Sequence, residues 1–145
     1  MPTTSVRLLV LSSALAAVTG CAAGGHGALP ADAHVQTLQT DRMVMRGTAP
    51  ANAASVTCAQ MQGGSPQYLE LKSDETANMV LRPLDGVALL HVQELATNKT
   101  WCVMTKGDGT GATINGTFPM GVYAISVEAS HSDHAMPYAV SIEKL

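Results

Sequence analysis

The sequence predicts an all-β fold, a small two-sheet antiparallel β-sandwich of jelly-roll type with about seven or eight strands. From Ser55 onward, short apolar runs recur about every eight to twelve residues with turn residues between them, as in sandwiches and barrels. Near the C-terminus, Tyr123, Ile125 and Val127 alternate with smaller or polar residues, which indicates strands with one buried and one wet face. No window of similar length outside the N-terminal apolar run shows a helical period.

Turn signals separate the expected strands. Pro83 ends one run, because proline cannot donate to a β-ladder. The glycine-rich segment around Asp108 is interpreted as a tight loop and not as a calcium site, which needs several spaced acids. Asn115-Gly116 indicates a turn within a short β segment. The expected strands are 56–58, 68–72, 78–82, 87–94, 100–104, a segment near 115, 123–128 and 138–143.

Length and composition narrow the class of protein. The chain has 145 residues and a net charge of -3, which suits one ordinary domain. It has no basic excess, so nucleic acid is excluded as a partner. One tryptophan and one phenylalanine are too few for an aromatic platform that stacks bases or sugars.

The N-terminus has the features of an export signal. Arg7 precedes an apolar run over residues 8–18, which is shorter than the roughly 20 residues needed to span a bilayer. The run ends in Val18-Thr19-Gly20-Cys21, which resembles the bacterial lipobox. The resemblance implies that residues 1–20 are a signal peptide and that Cys21 receives diacylglycerol and a further acyl chain, such as palmitate. Several acyl chains on one residue form a stable membrane anchor.

Two other interpretations of Cys21 stay open: a chance cysteine after an ordinary secretory signal, and a buried cysteine in an apolar helix. Ala22 follows Cys21 where aspartate would favour inner-membrane retention. The resemblance therefore implies the bacterial outer membrane, on its periplasmic or its surface face.

The remaining cysteines form an even pair. With Cys21 assigned to the lipid, Cys58 and Cys102 meet an oxidising compartment, and we expect a disulfide between them. The alternative is two free buried cysteines. Neither residue belongs to a Cys-x-x-Cys pattern, so thiol redox catalysis has no support.

The segment after the anchor is small and flexible in composition. We expect residues 21–54 to be a tether and residues 55–145 to be the sandwich domain. Within the tether, Met43 and Met45 alternate around Val44. The stretch 35–45 is interpreted either as an added strand or docking segment, or as disorder.

The end of the chain resembles a known module. Residues 121–127 read Gly-Val-Tyr-Ala-Ile-Ser-Val, and residues 137–142 read Pro-Tyr-Ala-Val-Ser-Ile after a loop. This pattern resembles the C-terminal half of bacterial pre-peptidase C-terminal domains, which are secreted non-catalytic appendages. The resemblance implies a β-sandwich, and the chain departs from the pattern in its Cys58/Cys102 pair and in having no attached peptidase.

One loop offers candidate metal ligands. His131, Asp133 and His134 lie within four residues, and imidazole and carboxylate groups bind zinc or copper. Met136 would add a soft donor for copper, and a complete site needs a further ligand such as His91. The alternative is a solvated hairpin tip, since short loops favour serine and aspartate.

No catalytic set is found. Gly-x-Ser-x-Gly is absent, and His91 lies on a strand face opposite Leu90 and Val92 without a recognisable serine partner. We therefore expect a lipid-anchored, non-enzymatic protein without a cofactor that binds a protein or polysaccharide of the envelope. The alternatives are a periplasmic copper- or zinc-binding lipoprotein using His131, Asp133 and His134, and an accessory subunit of a larger envelope complex.

Overall fold

The computed structural model describes residues 28–61 and 64–145. The expected signal peptide, the lipobox and Cys21 lie outside the described residues. Within those residues, no helix is long and apolar enough to cross a membrane.

The described residues form strands joined by turns and loops. Numbered in chain order, the strands are β1 (Val35–Thr37), β2 (Arg42–Ala49), β3 (Gln67–Leu71), β4 (Glu75–Pro83), β5 (Val87–Glu94), β6 (Thr100–Met104), β7 (Ala112–Phe118), β8 (Gly121–Ser130) and β9 (Met136–Lys144).

Two sheets make up the fold. The five-stranded sheet has the order β1-β3-β8-β5-β6, and the four-stranded sheet has the order β2-β9-β4-β7. Neighbours pair antiparallel except for β1 and β3, which run parallel. The expected all-β two-sheet sandwich is therefore confirmed.

The start of the sandwich differs from the expectation. Of the two interpretations of residues 35–45, the added strand is correct: β1 pairs with β3, and β2 pairs with β9 from Arg42 opposite Glu143 to Ala49 opposite Met136. The boundary at Ser55 is therefore wrong, because part of the expected tether supplies an edge strand to each sheet. Met45 packs into the core at 1% exposure, which accounts for the docking of β2.

The predicted turn at Asn115-Gly116 is wrong. Asn115 and Gly116 lie inside β7, opposite Asn78 and Ala77 of β4. The side-chain amide of Asn115 donates to Asn78 Oδ1 at 2.6 Å, so this pair links two strands across the sheet.

The core lies between the sheets and is built from alternate residues of the long strands. Its largest fully buried side chains include Tyr123, Phe118 and Met79. Trp101 packs on Phe118 and Tyr123, with ring centroids 5.1 and 6.2 Å away. The Tyr123 hydroxyl donates to the Pro119 carbonyl at 2.6 Å, which satisfies its polar end. Burial raises the pKa of Tyr123 to about 12.

Candidate functional site

The disulfide joins Cys58 to Cys102, as the cysteine count predicted, with their Cα atoms 5.8 Å apart. Cys102 lies on β6, whereas Cys58 belongs to residues 50–61, the connection that follows β2. We call residues 50–61 the strap. The bond fixes the strap to the outer edge strand of the five-stranded sheet.

Hydrogen bonds hold the strap along β8 as well. Ser130 Oγ accepts from the Val56 amide at 2.9 Å, and Glu128 Oε1 accepts from Asn52 Nδ2 at 3.2 Å. The backbone of Asn52 forms an isolated antiparallel bridge with Ser132. The strap therefore covers the outer face of the five-stranded sheet.

This cover changes the expected wet face of β8. Ser126 was expected to meet water, but it is buried at 4% exposure, and Ser130 on the same face is buried at 3% exposure. Glu128 Oε2 is buried and has no hydrogen-bond partner among the described residues. The alternation along β8 correctly indicated which of its residues face the core. Its other face is covered by the strap, and the alternation along a strand cannot show that another segment packs on it.

His91 lies under the same cover. It stands directly opposite Ser126 of β8 and Cys102 of β6. Burial lowers the pKa of His91 and favours its neutral form. In the described part of the chain, no hydrogen bond links the His91 ring to Ser126, so no nucleophile and base are assembled there.

The candidate metal loop is arranged as a surface ion cluster. His134 Nδ1 lies 2.8 Å from Asp133 Oδ1, and His134 Nε2 lies 3.2 Å from Asp85 Oδ2 in the β4–β5 connection. Bonds to Asp133 and then to Asp85 raise the pKa of His134, because both favour the imidazolium. The bond to His134 lowers the pKa of Asp133.

The structure does not bring His131, Asp133 and His134 into a ligand set. His131 adopts a left-handed conformation with φ 54°, and its amide donates to the Ala54 carbonyl at 3.0 Å. Among the described residues, no group of three or more histidine, cysteine or acidic side chains is placed to hold a metal ion. Both ring nitrogens of His134 already contact carboxylates. In this arrangement they are not directed, together with His131, at a shared position for a metal ion.

The outer face of the four-stranded sheet has no such cover from the strap. Its alternate residues point away from the core, and Arg46, Ala139 and Arg82 form one row across β2, β9 and β4. Both arginines are exposed, and Ala139 between them is half-buried. We call this surface the open face.

A cleft of about 330 Å³ lies at this row. Its apolar end is formed by residues of the β4–β5 connection and the start of β9, and Leu84 there is 78% exposed. The lining residues are Arg46, Gly47, Arg82, Pro83, Leu84, Pro137, Tyr138 and Ala139. We call this site the arginine cleft.

The two arginines of the cleft differ from their neighbour in charge pairing. Arg42, on the same face, lies 3.2 Å from Glu143. Within the described residues, neither Arg46 nor Arg82 takes part in an ion pair. The cleft therefore presents two uncompensated cations beside apolar surface, which suits a negatively charged ligand.

A larger depression, about 560 Å³, lies where the chain enters the fold. Its charged or polar side chains include Asp32, His34 and Gln67. Asp32 and His34 are exposed, and Gln67 already donates to Tyr138 Oη at 3.0 Å. This depression has hydrogen-bonding groups but no pair of free like charges, so the arginine cleft is the more specific site.

Comparison with solved structures finds chains similar to this one. A crystal structure of the pre-peptidase C-terminal domain of a collagenase from Bacillus anthracis is similar to this chain at 12% identity. The match covers 80% of this chain and 99% of that one, with a TM-score of 0.49. No family model matches the sequence, and no curated protein matches it. No inference about activity follows from this likeness.

Proposed function

We propose that this protein is a lipid-anchored, non-enzymatic β-sandwich of the bacterial outer membrane, which holds a negatively charged envelope polymer or protein on its open face. The observation that carries the proposal is the pair of exposed arginines on either side of Ala139, neither of which forms an ion pair with any described residue. A chain with a net charge of -3 keeps two free cations together at this place, so their clustering runs against the average charge of the molecule.

The cysteines support the anchor. Cys58 and Cys102 are consumed by the disulfide, which leaves Cys21 as the third cysteine of the chain. The preceding residues Val18-Thr19-Gly20 resemble a lipobox, whose cysteine carries the lipid, and this resemblance supports an anchor at Cys21. An exported chain also meets the oxidising conditions in which a disulfide persists.

The environments of the histidines support a non-enzymatic role. The ring of His91 is partly buried, and no serine of the described residues is hydrogen-bonded to it. His134 is held between two surface carboxylates. A general base needs an orienting partner and a neighbouring substrate pocket together. In the described residues, neither histidine lines either of the two cavities above.

The binding proposal is tested with the mature chain carrying Cys21→Ser, sedimented with the envelope fraction of the producing bacterium. We expect Arg46→Ala/Arg82→Ala to weaken cosedimentation about tenfold, since charge-assisted contacts to an anion are lost. Binding of the unaltered face should also fall at high salt. Arg42→Ala is the matched control, because that arginine already pairs with Glu143.

Equal binding by the double variant and the Arg42→Ala control would contradict the proposal. Treatment of the envelope fraction with protease separates the two partner classes. A polymer keeps its binding after protease treatment, whereas a protein partner loses it.

The anchor is tested separately by mass spectrometry of the mature N-terminus. We expect a chain that begins at Cys21 and carries acyl groups, and we expect Cys21→Ser to abolish the modification. A free, unmodified N-terminus at another residue would contradict the anchor and leave the binding proposal standing.

A further inference from the structure

We infer that the arginine cleft binds a phosphate monoester whose substituent is apolar. This inference rests on the proposed function, because it names the chemical group that the open face recognises. Three features carry it: the spacing of the two guanidinium groups, the number of oxygen atoms they can satisfy, and the apolar end of the cleft.

The spacing follows from the strand order. Ala139 is paired with Arg46 on one side and with Arg82 on the other. Neighbouring strands are about 4.8 Å apart, so the two arginine backbones lie about 10 Å from each other. The methyl side chain of Ala139 leaves the space between them open. An anion seated above Ala139 is therefore within reach of both flexible side chains.

The charge and the number of acceptors favour phosphate over carboxylate. One guanidinium fork already satisfies both oxygens of a carboxylate in a bidentate pair. A phosphate monoester has about -1.5 to -2 charges at neutral pH and three strong acceptor oxygens, which matches two forks. Arg46 and Arg82 together supply the compensating charge, and no described carboxylate pairs with either.

The apolar end specifies the rest of the ligand. One step along the sheet from the arginine row, Leu84, Pro83 and Pro137 line the cleft. Leu84 is 78% exposed, so its side chain offers apolar surface beside the arginine row. A substituent on the phosphate would lie over this end and bury the leucine.

The backbone around the cleft is already held in place. The Leu84 amide donates to the Pro137 carbonyl at 3.1 Å. Gln67 Nε2 donates to the Arg46 carbonyl and to Tyr138 Oη, both at 3.0 Å. These bonds fix the two ends of the site before a ligand arrives, which lowers the ordering cost of binding.

The experiment is a calorimetric titration of the mature Cys21→Ser chain with phenyl phosphate, inorganic phosphate and benzoate at low salt. We expect phenyl phosphate to bind more tightly than inorganic phosphate, and benzoate to bind least. Arg46→Ala and Arg82→Ala should each weaken phenyl phosphate about tenfold. Leu84→Ser should remove the advantage of phenyl phosphate while leaving inorganic phosphate unchanged.

Controls keep the result interpretable. Arg42→Ala should bind like the parent, and Arg46→Lys and Arg82→Lys show whether the fork geometry matters beyond charge. Benzoate binding as tight as phenyl phosphate, or equal losses in Arg42→Ala, would overturn the inference. If neither phosphate binds while envelope binding still depends on Arg46 and Arg82, the inference fails and the proposed function stands. If phenyl phosphate binds as expected but envelope binding ignores the arginines, the proposed function fails.

Discussion

The two outer faces of the sandwich differ in what covers them. The face of the five-stranded sheet lies under the strap, and its outward residues Leu89, Ser126 and Ser130 are buried. On the open face, the outward residues Val44, Arg46 and Arg82 are exposed. The two faces therefore differ in role. The covered face stabilises the fold through a disulfide and buried polar contacts, whereas the open face has exposed arginines that a ligand can reach.

The largest expected effect concerns the covered face. Replacing both disulfide cysteines, Cys58→Ser/Cys102→Ser, removes a cross-link between residues 44 positions apart in sequence. We expect the free energy of unfolding in urea to fall by about 3–4 kcal/mol, as the chain-entropy model gives for a loop of this length. Anion binding at the open face should persist in the folded fraction. Unchanged stability would show that the strap is held by its hydrogen bonds alone.

The next effect tests the packing of Gly47 against Tyr138, two residues that line the arginine cleft. A Cβ atom on Gly47 would lie 2.6 Å from Tyr138 Cζ and also overlap the tyrosine hydroxyl. We expect Gly47→Ala to cost about 1–3 kcal/mol by overpacking, measured by urea unfolding. Gly116→Ala is the matched strand control, because its Cβ would meet only Phe118 Cζ at 3.9 Å. Similar losses in both variants would show that glycine entropy or strand propensity, not contact with Tyr138, sets the cost.

An effect of similar size tests the polar contacts under the strap. Asn52→Ala removes the donor to Glu128 Oε1, while Glu128 Oε2 already has no partner. We expect a loss of about 1–3 kcal/mol in unfolding free energy, because a partly buried carboxylate is left unsatisfied. Adding Glu128→Ala should recover part of this loss in a double-mutant cycle. Simple additivity of the two substitutions would contradict the pairing.

The sequence predicts some features of the covered face and not others. The inward residues Tyr123, Ile125 and Val127 were predicted by alternation, and the Cys58–Cys102 bond was predicted by counting. The buried outer residues of β8 were not, because their cover is a strap from another part of the chain. Periodicity reports which residues share a face, but not what lies on that face.

The arginine cleft could not be predicted for a related reason. Arg46 falls in the expected tether, and Arg82 falls in a different strand far along the sequence. They flank Ala139 only because β9 lies between β2 and β4. The available signal was the alternation of Met43 and Met45 in β2, which places Arg46 on the outward side once the strand is accepted.

The smallest expected effect concerns the loop at the end of both faces, and it depends on pH. The pKa of His134 is raised by Asp133 and Asp85, so its ion cluster contributes stability below the ordinary histidine pKa of 6.5. That contribution is lost as pH rises through the higher pKa of the folded state. We expect Tm to fall from pH 5.5 to pH 9 slightly more in the parent than in His134→Gln. The effect is small because the group is exposed.

The control for this titration is His131→Asn, since asparagine tolerates the left-handed conformation at φ 54°. It should keep the pH dependence of the parent. Parallel profiles of Tm against pH in the parent and in His134→Gln would show that the ion cluster of His134 does not contribute to the pH dependence of stability.

The central claim is that the open face, and not the covered one, meets the partner. Hydroxyl-radical footprinting of the full chain, in its native envelope and purified in detergent, tests this most directly. Leu84 and Val44 report the open face at 78% and 38% exposure, and Met104 and Met120 report other surfaces at 49% and 63%. We expect Leu84 and Val44 to be protected in the envelope while both methionines oxidise as before. Protection of the methionines with Leu84 and Val44 still reactive would contradict the account.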